Sequence, residues 1–190
     1  HPSNATSALY LEKALDDPHA VIRSFARRAS MGFFDSFIQQ KLLSIARFKK
    51  GNEKIEAFAI LVSQNKTLAL QLANELFHDT ETPLLEKIEI HEILSASLLQ
   101  TDPELKSFIA QNTLTEDSRL WLGSIQPDLI RGEEVLAALK SASFSSQLGA
   151  LECIGLWKNR FDPQSEEITR ILAQMLASSN SHKKKKAAWT

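Results

Sequence analysis

Few residues in this chain are equipped for chemistry, and they are scattered. His91-Glu92 opens like a zinc-binding His-Glu-x-x-His helix, but Ser95 stands where the second imidazole is needed. His1, His19, His78 and His182 lie far from one another in the sequence, so no metal set is expected. Cys153, the only cysteine, has no histidine near it in sequence to take its proton. Its setting, Leu148-Gly149-Ala150-Leu151-Glu152-Cys153-Ile154, predicts a buried and unreactive thiol. The acid pairs Asp16-Asp17, Glu133-Glu134 and Glu166-Glu167 fall at expected helix starts, where carboxylates complement the helix dipole. No phosphate loop, Gly-x-Gly-x-x-Gly turn or Gly-x-Ser-x-Gly elbow occurs. These residues predict a protein that is not an enzyme and uses no cofactor.

Binding is the chemistry that remains. A formal net charge of -1 hides an uneven distribution. Basic residues crowd the first part of the chain, as Arg23, Arg27, Arg28, Lys41, Arg47, Lys49 and Lys50. Acids gather centrally as Glu81, Glu86, Glu89 and Glu92, and Lys183 to Lys186 make the tail basic again. Arg27, Arg28, Arg47, Lys49 and Lys50 are candidate polyanion contacts, provided that helices bring them to one surface. Trp121, between Leu120 and Leu122, reads either as core or as a partly exposed anchor for a partner. Trp157 shares a helical face with Cys153 and Ile154 and is expected in the core, whereas Trp189 lies in the tail.

The elements that must position these residues are helices. Six glycines and six prolines leave little material for hairpins, and alternating β-branched stretches are nearly absent. Apolar residues instead recur at steps of three and four. Leu9, Leu11 and Leu15 mark a first helix, and Val21, Ile22, Phe25, Ala26 and Ala29 form the apolar face of a second. Arg27 and Arg28 fall off that face and are expected in solvent. Phe37 to Ala46 mark a third helix, closed by Lys49-Lys50-Gly51, with glycine suited to a left-handed cap. Ile55 to Val62, Leu68 to Phe77 and Leu84 to Leu98 follow; shorter helices cover Leu105 to Ala110, Asp117 to Leu122 and Glu133 to Leu139, then longer ones Gln147 to Trp157 and Ser165 to Ala177. The periodicity yields about ten or eleven helices. Asp17-Pro18, Asp102-Pro103 and Asp162-Pro163 each read as an N-cap followed by proline in the first turn, and Thr82-Pro83 as the hydroxyl version.

Two of these starts agree beyond the cap. After Asp17-Pro18 comes Ile22-Arg23-Ser24-Phe25-Ala26, and after Asp102-Pro103 comes Leu105-Lys106-Ser107-Phe108-Ile109. This resembles the second-helix signature of HEAT repeats, clearest over residues 16–31. The resemblance implies a degenerate HEAT/armadillo-like protein, an all-α, right-handed superhelix of antiparallel helix pairs; an irregular helical bundle is the alternative. It also implies that Arg23 packs against a neighbouring repeat.

Residues 1–178 are therefore expected to form one helical-repeat domain, followed by a disordered basic tail at 179–190. The longest strictly apolar run, Ala57 to Val62, is far short of the roughly 20 residues a spanning helix needs, so no membrane partner is expected. A cytoplasmic protein–protein interaction or scaffold module, part of a larger protein, is the functional expectation. A nucleic-acid-binding HEAT-like protein, such as one of DNA repair, using the basic N-terminal helices is the alternative.

Overall fold

A computed structural model describes residues 4–33, 35–98, 102–157 and 165–177. Asp162-Pro163, Lys183 to Lys186, Trp189 and the side chain of Trp157 lie outside the described residues. Among those described, the chain is all-helical, without a strand. The helices are α1 (Asn4–Leu15), α2 (Ala20–Ser30), α3 (Ser36–Phe48), α4 (Asn52–Gln64), α5 (Lys66–His78) and α6 (Leu84–Ser97). There follow α7 (Pro103–Gln111), α8 (Glu116–Gly123), a 3₁₀ turn (Pro127–Leu129), α9 (Gly132–Lys140), α10 (Phe144–Trp157) and α11 (Ser165–Ala177). Their contacts sort the chain into two compact units, His1–Leu76 with Glu81–Ser97, and Phe77–Thr80 with Leu98–Thr190.

In the first unit α1 pairs with α2 and α3 with α4; across the pairs, α1 touches α3, α2 touches α4 and α4 touches α6. The seam between α3 and α4 is apolar, supplied by Ile38, Leu42, Ile45 and Ala46 with Ala57, Phe58 and Leu61. Charges join the other layers. The Arg23 guanidinium donates to Glu53 Oε1 at 2.7 Å and to the carbonyls of Asp17 and Pro18. Arg27 donates to Glu56 Oε2 at 2.8 Å, and Arg47 forms a two-armed pair with Glu75. Past the end of α2, the Gln64 amide donates to the carbonyls of Ser30 and Phe33, so α2 and α4 run in the same direction.

The cap signals resolve differently. Asp102 accepts from the N–H groups of Glu104 and Leu105, with Pro103 opening α7, as the sequence predicts. Asp17 does not cap α2: its carboxylate accepts from the His19 N–H in a turn, and the helix begins at Ala20. Arg23 reaches back to the same turn and supplies the closure instead. Pro83 likewise precedes α6, which starts at Leu84, and its carbonyl accepts from the Lys87 N–H. Gly51 is not the left-handed end of α3. That helix stops at Phe48, and Gly51, at φ 59° and ψ -141°, leads into α4.

The second unit packs around α10, which contacts both α8 and α9; α9 also meets α11. Leu120, Trp121 and Leu122 of α8 are all buried, with Val135, Leu139, Leu148 and Leu151 from α9 and α10. Gly149 lets α10 lie close to α8, since a Cβ there would stand 3.0 Å from Leu120 Cβ. Lys140 and Glu167 bridge α9 to α11 at 2.6 Å.

Candidate interaction surface

The second helix turns its pattern outward. Val21 and Phe25 are 67% and 66% exposed, Ile22 is also exposed, and Ala29 completes the stripe. The opposite side, Ala26, Arg27 and Ser30, is buried. Arg27, expected in solvent, is only 3% exposed. The reason lies on α4: Glu56 and, at 3.7 Å, Glu53 meet the guanidinium as it enters the seam and offset its desolvation. Alanine and serine at the contact leave room for α2 to approach. Ser30 satisfies its own hydroxyl by donating to the Ala26 carbonyl at 2.9 Å.

The first helix presents a similar side. Leu9 and Tyr10 are exposed with Thr6 and Lys13, at positions that share one helical face, while Leu11 and Leu15 are buried. Because α1 lies on α3 and α2 on α4, the far side of this hairpin carries both stripes. Phe37 and Phe48 are further exposed aromatics of the first unit.

The candidate polyanion contacts are not gathered into one free patch. Arg27 is inside, and Arg47 is occupied by Glu75. Arg28, Lys49 and Lys50 stay exposed. Arg28 lies on the rim of the outward face of α2, and Lys49-Lys50 follow the end of α3. Trp121 is a correction of the anchor reading: it is 0% exposed, stacked on Phe77 with ring centroids 5.6 Å apart, and its indole N–H donates to Ser145 Oγ. A side chain without surface has nothing to offer a partner.

Inside the first unit lies an ion pair that spacing alone does not reveal. Lys54 Nζ and Glu86 Oε2 are 2.8 Å apart and both side chains are buried. Burial raises the Glu86 pKa, but the Gly51 N–H at 2.8 Å and the Lys54 ammonium outweigh it, so the carboxyl rests below its ordinary value. The pair ties α4 to α6 and holds the turn into α4.

A shallow cavity of about 310 Å³ opens in the second unit, lined by Glu116, Arg119, Leu120, Ile130, Glu134 and Ala137. Its polar groups already serve one another. Arg119 donates to Glu134 Oε1 at 2.9 Å and to the Leu129 carbonyl, and Glu134 Oε2 accepts from the Arg131 N–H. Burial raises the Glu134 pKa, but that N–H and Arg119 hold it below the usual value. Cys153 is buried against the Leu120 carbonyl, and its surroundings push the thiol pKa far up, first by desolvation and then by Glu152, which removes the thiolate that nucleophilic work needs. Among the described residues, no three His, Cys, Asp or Glu side chains are grouped to hold a metal. No described helix is long and apolar enough to cross a membrane.

Set beside known protein families, curated proteins and solved structures, the chain matches none of them.

Proposed function

We propose that this chain is a non-enzymatic protein-interaction module of the helical-repeat kind, and that its partner seats on the outward face of the α1–α2 hairpin. One observation carries the reading: α2 spends its charged side on α4 and leaves Val21, Ile22 and Phe25 in water. Three large apolar side chains on one helical face are costly to expose, and such clusters mark contact sites. Arg23 supports the repeat component of the proposal. It joins α2 to the equivalent helix of the next pair while bonding back to its own Asp17-Pro18 turn, a link suited to pairs stacked in a row. The polyanion alternative keeps Arg28, Lys49 and Lys50 but loses Arg27 and Arg47 to carboxylates.

The test is a parallel capture from cell extract with the native chain and with Phe25→Asp. A protein retained by the first and lost by the second is the expected result. Identical retained sets would remove the hairpin from the function. Retention on heparin that vanishes when Arg28, Lys49 and Lys50 are neutralised would shift the reading to polyanions.

A further inference from the structure

The chemistry of that partner is written in the charges around the stripe. Within the first unit, bases reach across to acids of other segments: Arg23 and Arg27 of α2 meet Glu53 and Glu56 of α4, Lys41 of α3 meets Asp16 just past α1, Arg47 of α3 meets Glu75 of α5, and Lys54 of α4 meets Glu86 of α6. The outward side of the hairpin breaks this pattern. Its exposed residues are Leu9, Tyr10, Val21, Ile22 and Phe25, edged by Lys13 on α1 and Arg28 on α2. Within α1 and α2 neither exposed stripe contains a carboxylate; Glu12, half-buried, stands at the edge of the α1 stripe, and Asp16, exposed just past α1, is already paired with Lys41.

Resting on the function proposed above, we infer that the hairpin receives an amphipathic helix of another protein, with apolar residues on one face and Asp or Glu along its flanks. A third helix packs its ridge between those of two neighbouring helices, here the exposed ridges that carry Tyr10 and Phe25. Charge selects among occupants. A second copy of the same hairpin would set Lys13 and Arg28 against Lys13 and Arg28, a repulsive match. A helix with acidic flanks places a carboxylate beside each base and leaves its apolar ridge for Val21, Ile22 and Phe25.

A phage-displayed library of helix-forming peptides tests this, with Leu fixed at i, i+3 and i+7 and the flanking positions randomised. The expected winners carry more Asp and Glu than Lys and Arg. Phe25→Asp should weaken them about tenfold or more, the loss typical of a central apolar anchor. Arg28→Glu should turn the preference towards basic flanks, a reversal that simple unfolding does not produce. Circular dichroism of both variants, each changed at an exposed position, checks that the helices persist. Base-flanked winners for the native chain overturn the inference. So does a dimer seen by sedimentation and abolished by Phe25→Asp, or Phe25-dependent binding to phosphatidylserine vesicles without peptide binding. Winners indifferent to Phe25→Asp remove this surface while leaving an interaction module elsewhere; no winner, together with no differential capture, removes both.

Discussion

Two helices, α2 and α8, meet their neighbours in opposite ways. In the first unit, α2 buries Ala26 and Ser30, reaches across to α4 with Arg23 and Arg27, and exposes Phe25. In the second, α8 buries Leu120, Trp121 and Leu122 in succession, and Gly149 lets α10 close upon it. The periodic pattern identifies a helix in both places. It does not say which side the protein covers. That choice falls to the groups waiting on the neighbouring helix: carboxylates on α4 draw guanidinium inward, whereas a glycine on α10 and the Phe77 ring admit an indole.

The comparison is broken most forcefully at Trp121. Trp121→Ala removes a fully buried ring stacked on Phe77 and leaves Ser145 without its donor. The expected loss is about 3–5 kcal/mol, read as a lowered urea midpoint by circular dichroism. A loss below about 1 kcal/mol would mean that α8 is not built around this ring.

The next effect lies in the charged seam. Lys54→Met leaves Glu86 buried with only the Gly51 N–H, and about 3 kcal/mol should go. The double change Lys54→Met with Glu86→Leu should recover most of it, short of about 1 kcal/mol for the orphaned Gly51 N–H. The pH dependence has a definite sign. A carboxyl held below its ordinary value of 4.5 stabilises the fold above that pH, and the contribution disappears as the pH falls through the lower, folded value. The stability gap between the native chain and Glu86→Gln should therefore be full near neutrality and shrink below about pH 4.5. A gap constant through that range would show that Glu86 is not charged in its seam.

Much of the scaffold was legible because helices announce themselves locally. The stretch from Leu84 to Leu98 reads as one helix and is one over Leu84–Ser97, Asp102-Pro103 starts α7, and Cys153 lies buried among its apolar neighbours. The expected face of α2 was reversed because Glu53 and Glu56 sit some thirty residues away, as the pairs Arg23 to Glu53 and Arg27 to Glu56 show. No window around Arg27 contains them. Asp17 failed as a cap for a related reason: Arg23, six positions on, takes the carbonyl of that turn. Glu134 at least left a trace, an acid three places after Arg131 at a helix start, where it accepts the Arg131 N–H. Its pairing with Arg119 needed the fold.

The smallest effect is the sharpest check on the contrast. If α2 is held by its charged side, then Phe25→Ser removes only exposed area and should shift the unfolding free energy by no more than about 0.5 kcal/mol. Ala26→Leu, one residue along, forces a larger side chain into the buried side of α2 and should cost about 1–3 kcal/mol through overpacking. The order of the two is what matters. A helix seated on its apolar stripe would lose more from Phe25→Ser, because an aromatic ring would leave the core. Urea midpoints for this pair of variants, taken side by side, thus decide which face of α2 the fold uses, and a larger loss at Phe25 would turn the exposed stripe back into core.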